Sequence, residues 1–361
     1  MNAPAGIYIH VPFCAVKCPY CDFYSVRYNR QTVSAYTEAV CRNLHTLPTD
    51  LHADTLYFGG GTPSLLSGDL IERIVQTAGE SCMLSKDAEI TLEANPLTVT
   101  DSALRAWRRA GINRLSLGVQ SFQAEVLRQL GRKHTPEQAK AAVLRANAAG
   151  FANLSVDLMV GLAMQNPHCL AADLEKALAL PLTHISAYML KIEEHTPFYE
   201  DPPATLDADT QADRYLQMHN ILTSRGFLHY EISNFARPGY ESRHNCKYWR
   251  LHPYYGIGPA AHSCHGGKRF AVPRDLAAFC DAPQQPETVT EPEAYSATER
   301  IMLGLRLSEG ICPDDFPEEK TRILRRAKPL IPKYLNMKNG RLHMTPEGWL
   351  VSNAVIVQLL Q

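Results

Sequence analysis

Six short apolar runs, separated by stretches of helical periodicity, fill the first two-thirds of this 361-residue chain. They are Ile7–Val11, Thr55–Phe58, Glu89–Leu92, Arg114–Leu117, Asn153–Met159 and His184–Leu190. Between the first two, Val33, Tyr36, Val40, Leu44 and Leu47 recur at helical spacing and make one apolar stripe. Similar helices fit Leu70–Ala78, Ser102–Arg109, Pro136–Ala149 and Leu170–Leu178. Such alternation leaves few architectures open. Strands joined by helices pair in parallel with the helices outside, and six of them predict an α/β fold, a (β/α)6 barrel, closed or partial.

In parallel barrels the C-terminal strand ends carry the chemistry, and here those ends are rich in polar residues and glycine. Cys14, Cys18 and Cys21, spaced C-x-x-x-C-x-x-C, follow the first strand, and Gly59-Gly60-Gly61-Thr62-Pro63 follows the second. Glu93 ends the third, Gln120 the fourth, Asp157 lies towards the end of the fifth and Tyr188 of the sixth. Thiolates are soft ligands for iron–sulfur clusters or zinc. Three of them are one too few for a cubane of four irons, so one iron stays open to a non-protein ligand, as in an open catalytic metal site. A zinc site short of a ligand, or three packing cysteines, are the alternatives. Glycines at 59, 60 and 61 let a ligand approach the backbone closely. A carboxylate such as Asp157 inside an apolar run is costly to bury without a partner.

The cysteine motif and its setting resemble the radical S-adenosylmethionine (SAM) superfamily. In that superfamily the open iron of a [4Fe–4S] cluster chelates SAM, and the loop after the second strand binds the SAM amino group through its backbone. From Gly6 to about Ala261 the chain resembles the HemN-like group, named for oxygen-independent coproporphyrinogen III oxidase. The resemblance implies a cluster on Cys14, Cys18 and Cys21. It also implies SAM contacts at Tyr8, Gly60, Gly61, Thr62, Glu93, Gln120, Arg132 and Asp157.

Two departures point to the haem-binding HemW branch. Phe23 stands where the oxidases usually carry a further cysteine, and the chain begins just ahead of its first strand, without the oxidases' N-terminal extension. A third feature agrees: His244-Asn245-Cys246-Lys247-Tyr248-Trp249 matches the H-N-x-x-Y-W signature associated with that branch. The resemblance thus implies a haem chaperone in which His244 contacts haem, with Cys246 as a second candidate. Haem would pass to an acceptor protein, a membrane respiratory component. A radical enzyme that decarboxylates a tetrapyrrole is the other function the family implies. His262, Cys264 and His265 form a further local cluster, read as lining the cavity or packing beneath it.

Bulk composition narrows the rest. A formal charge of -1 gives no basis for broad attraction to nucleic acid or anionic membranes. No apolar stretch reaches the roughly 18–20 residues that span a bilayer. No secretory leader is evident, which predicts a reducing cytoplasm where clustered cysteines bind metal rather than pair. Cys41, Cys82, Cys169, Cys280 and Cys312 then read as packing residues. The expected organisation is a barrel over 1–200, an extension carrying the signature over 201–282, and a helical, winged-helix-like region over 293–361. A linker is expected near Pro283–Pro292, an Asn-Gly hairpin over 335–344, and a terminal helix from Pro346 to about Leu359. A homodimer is left open.

Overall fold

A computed structural model describes residues 3–361. The six expected strands form, each somewhat longer than its apolar run except the last: β1 (Ala5–Val11), β2 (His52–Gly60), β3 (Met83–Ala94), β4 (Arg114–Gln120), β5 (Asn153–Val160) and β6 (His184–Met189). They pair in parallel, and their order in the sheet is their order in the chain. With right-handed crossovers that order puts every connecting helix on one face and curls the sheet about the other. The expected helices are present at Arg30–Leu44, Gly68–Ser81, Asp101–Arg109, Pro136–Ala148 and Pro167–Leu178. Side chains cap their starts: Asn29, Thr100 and Asn166 accept backbone N–H groups, and Thr135 with Gln138 forms a capping box.

The barrel stays open. β6 does not return to β1; it takes the antiparallel strands β7 (Leu228–Glu231) and β8 (Asn234–Ala236) on its outer side, β8 lying next to it. The other edge of β1 takes β9 (Tyr254–Ile257) in parallel, continued by β10 (His262–His265), β11 (Lys268–Ala271) and β12 (Thr288–Glu291). The stretch expected as a linker therefore contains an edge strand, whose four residues are all exposed. Ile7, Ile9 and Val11 are fully buried beneath Tyr36, Val40 and Leu44 of the first helix.

In the C-terminal region β13 (Leu335–Lys338) and β14 (Arg341–Met344) make the expected hairpin. Asn339 and Gly340 both take positive φ, 52° and 74°, as the tight turn requires. The terminal helix differs from expectation: it breaks at Val351 into Pro346–Leu350 and Ser352–Leu360. No helix among the described residues is long and apolar enough to cross a membrane.

Candidate functional site

The cysteine loop leaves the end of β1 and is pinned on several sides. The Val26 amide donates to the Pro12 carbonyl at 2.6 Å, that of Tyr28 to Cys14 at 3.0 Å and that of Phe198 to Pro19 at 3.0 Å. All three thiols are unpaired and partly exposed. Burial first, and then the fields of Cys18 and Cys14, raise the Cys21 thiol, against the pull of the Phe23 amide. The Cys18 sulfur accepts from the Arg132 guanidinium at 3.3 Å, and the Cys14 sulfur lies 3.6 Å from the Thr62 hydroxyl. Among the described residues no three His, Cys, Asp or Glu groups converge on one point. Three unpaired thiols on one loop are the kind of donor set a cubane takes, one thiolate per iron. Phe23 points outward, 64% exposed.

Beside this loop the glycines meet backbone and rings at close range. Gly60 has φ +108°, and a Cβ there would come within 2.7 Å of the His10 ring. A Cβ at Gly61 would stand 2.7 Å from the Phe13 carbonyl, because the Gly61 and Thr62 amides donate to Val11 and Phe13 at 2.8 Å each. The triplet is thus sewn to the strand that delivers the cysteines. A Cβ at Gly59 would fill the gap bounded by Tyr8, Tyr57 and Glu93, at 3.0–3.2 Å.

Glu93 faces that gap. Tyr57 donates its hydroxyl to Oε1 at 2.7 Å and the Gly60 amide donates to Oε2 at 3.3 Å. Burial pushes its pKa up to about 7, with the Asp157 charge adding and the Tyr57 and Gly60 bonds opposing. Asp157 is raised by burial too, but Ser186 and Ser116 on the flanking strands donate to it, the latter at 3.2 Å. Those hydroxyls are the partners that its burial demands. Gln120 ends β4 with φ 70°, where the register with β5 shifts. Arg132 donates to the Gly118 carbonyl at 2.6 Å as well as to Cys18, and its Nε is buried without an acceptor. The eight residues implied for SAM and the three cysteines therefore gather at one rim. Cys, Gly, Glu and guanidinium side by side can hold a cluster and an amino acid-like ligand.

His244 is elsewhere. The H-N-x-x-Y-W residues fall on the helix Arg243–Trp249, whose first amides are capped from β3: those of Arg243 and His244 donate to Glu89 at 3.1 and 3.0 Å. The imidazole is 1% exposed. Its Nδ1 pairs with the Thr55 hydroxyl and its Nε2 with the Tyr248 hydroxyl, both at 2.8 Å, and it stacks on Tyr57 at 5.0 Å. Thr55 lies beside Gly6 and Glu89, near the beginnings of the paired strands. The helix therefore plugs the barrel beneath the rim, its His244 ring 6.2 Å from Tyr8 and 5.0 Å from Tyr57 between centroids. Both ring nitrogens are thus engaged by hydroxyl groups of the protein. Cys246, on the same helix, is 4% exposed, and burial pushes its thiol up to about 12.

Several functional neighbours escaped sequence reasoning. Arg114 is 1% exposed, with Nε and Nη1 lacking acceptors. Burial opposes its charge, yet Glu89, Tyr57 and Asp157 hold it. Its position at the start of an apolar strand was the one signal available. Tyr57 and His10, which contacts Tyr8 at 3.1 Å, sit on strands whose alternation marks them as inward-facing. Of the second cluster, Cys264 is fully buried, His262 is exposed, and His265 is stacked between Tyr255 and Phe270 at 4.3 and 4.7 Å.

Comparison with known proteins agrees with this geometry. Residues 8–177 match the family model described as the radical SAM superfamily, and residues 296–351 that of the HemN C-terminal domain. The protein of Lactococcus lactis named heme chaperone HemW is 34% identical over 373 residues, covering 100% of this chain and 98% of the relative. Its Escherichia coli namesake is 42% identical over 265 residues, 72% of this chain and 70% of the relative. Among solved structures, coproporphyrinogen III oxidase (HemN) of Escherichia coli superposes with a TM-score of 0.82, covering 99% of this chain and 90% of that one. At 21% identity that likeness shows the shared fold alone.

Proposed function

This chain belongs to the HemW family, and from that premise we propose that it is a cytoplasmic haem chaperone that passes haem to an acceptor protein, a haem-requiring component of the respiratory membrane. The observation that carries the proposal is the likeness to HemW relatives along the entire chain. In this reading Cys14, Cys18 and Cys21 hold a [4Fe–4S] cluster. Reduced and ligated by SAM, such a cluster supplies one-electron chemistry at the sulfonium. The protein's share is placement. The Gly60–Thr62 backbone receives SAM, the Glu93 carboxylate accepts from its ribose hydroxyls, and Arg132 holds the Cys18 sulfur in position. Tyr8, Gln120 and Asp157 close the same rim. The chain's barrel region over 1–200, its extension over 201–282 and its C-terminal region over 293–361 are assigned on this basis.

The test is an anaerobic haem titration of the cluster-reconstituted protein followed at the Soret band, beside a coproporphyrinogen assay with SAM and reductant. Saturable, near-stoichiometric binding without decarboxylated product is the expected result. Unsaturable binding together with SAM-dependent product would overturn it in favour of the oxidase chemistry.

A further inference from the structure

The near-neutral charge of the whole chain is unevenly spread. Residues 320–361 hold eight Lys and Arg against one acidic residue, Glu347, and no Asp or Glu stands between Lys320 and Arg341. Two of these cations are paired at the start of the helix Lys320–Ala327: Lys320 with Asp314, and Arg322 with Glu319 at 2.6 Å. Among the described residues no carboxylate pairs with Arg325, Arg326, Lys328, Lys333 or Lys338. Cations in a last helical turn complement the helix dipole, which accounts for Arg325 and Arg326. It does not account for Lys328, Lys333 and Lys338, which follow the helix.

That helix turns Ile323 and Ala327 into the core. Its other side carries Thr321, Leu324, Arg325 and Lys328, all exposed and recurring at helical spacing. The chain then stays outside through Ile331 and Lys333. The helix packs beside Ser352–Leu360, whose core side is Val355, Ile356 and Leu359.

This last helix has a different surface. From Gly348 to Gln361 no residue is charged, so its exposed side is Ala354 and Val357 between Asn353 and Gln358, with Val351 just ahead. An exposed helix face ordinarily carries charge. Leu324, Ile331, Val351 and Val357 are each between 37% and 48% exposed. One basic and one uncharged helix, packed together, thus bring unpaired cations and apolar side chains into the same small region. Cations for anionic headgroups beside apolar side chains for the acyl boundary are what an element lying on a membrane needs. Nucleic acid would engage the cations and gain nothing from the apolar side chains.

We propose that the C-terminal region docks on an anionic lipid surface, with Arg325, Lys328 and Lys333 against the headgroups and Leu324, Ile331 and Val357 at the acyl boundary. The contact is peripheral, and the chain lies on the bilayer without crossing it. The proposal goes beyond the haem-chaperone reading and does not depend on it.

The test is co-sedimentation of the cluster-reconstituted, full-length protein with vesicles of phosphatidylcholine alone or mixed with phosphatidylglycerol, at low and high salt. Wild type should pellet with the mixed vesicles only, and salt should release it. A cation near an anionic membrane is worth about 1 kcal/mol, which is roughly fivefold in binding. The double variant Arg325→Gln/Lys328→Gln should therefore bind the mixed vesicles about 25-fold more weakly. Leu324→Ser/Val357→Ser should weaken binding and keep its salt dependence. Lys140→Gln removes an exposed charge on the helix Pro136–Ala148 and should change nothing. Cluster iron content checks the folding of every variant. Equal binding to both kinds of vesicle, or none to either, overturns the proposal. So does an Arg325→Gln/Lys328→Gln protein that binds as the wild type does, or a wild type that shifts a duplex DNA probe and ignores the vesicles. Haem titration of the same samples reads the chaperone function separately: unsaturable haem binding beside intact vesicle binding would sink that function and leave this surface standing.

Discussion

Tyr57 touches both ends of the barrel's interior, donating its hydroxyl to Glu93 at the rim and stacking its ring on His244 in the plug. The bond is 2.7 Å long and the ring centroids are 5.0 Å apart. One side chain therefore joins the carboxylate proposed for SAM to the signature helix, and each can be perturbed separately.

Glu93→Gln should weaken SAM binding while leaving cluster iron in place, measured by equilibrium dialysis and iron content. The ionised carboxylate is the better acceptor for ribose hydroxyls, and its pKa stands at about 7. SAM affinity should accordingly fall as pH drops from 8 to 6 in the wild type and stay flat in the variant. A variant with undiminished affinity would give the carboxylate another task.

The same group makes stability depend on pH. Its folded pKa is raised from 4.5 to about 7, so between those values the folded protein binds more protons than the unfolded one, and stability falls as pH rises through that window. The size is about 3 kcal/mol. Denaturant midpoints at pH 5 and pH 8 should differ less in Glu93→Gln than in the wild type, by an amount of that order.

His244→Ala should cost stability first, about 2–4 kcal/mol, because the Thr55 and Tyr248 hydroxyls lose a buried partner. Burial holds the folded imidazole down to about 3 against an ordinary 6.5. The unfolded chain then binds the extra proton between those values, and this contribution to wild-type stability is lost as pH falls from 6.5 towards 3. Urea midpoints at pH 7 and pH 5 read both effects. A variant as stable as the wild type at pH 7 would deny the ring its role as a strut.

Gly61→Ala should disturb SAM binding and the cluster together, since its Cβ would stand 2.7 Å from the Phe13 carbonyl on the strand that leads to Cys14. Gly79→Ala is the control. It lies within the helix Gly68–Ser81, with nothing within 4 Å of the added Cβ, and should gain up to about 1 kcal/mol. Cluster absorbance and melting temperature of the two variants check the contrast.

Cys18→Ala should abolish cluster absorbance after anaerobic reconstitution, whereas Cys312→Ala should keep both iron and sulfide. Loss of the cluster from the second variant would overturn the reading of the scattered cysteines as packing residues.

The sequence by itself determined what depends on near neighbours. The strand–helix rhythm fixed a parallel, singly wound sheet; the cysteine spacing and Gly59–Gly61 located the rim; Asn339-Gly340 set the hairpin turn, because only those residue types take its two positive φ angles readily. Tertiary structure alone decided what depends on partners far along the chain. His244 looks like a ligand in its hexapeptide, and only the fold shows Thr55, 189 positions away, pairing with its Nδ1. The same holds for Glu89, which caps a helix more than 150 positions later. The edge strands β9 to β12, four residues each, carry too little periodicity to be seen until β1 offers them an edge. What a ring nitrogen pairs with is set by who else reaches it, and that is a property of packing rather than of spacing.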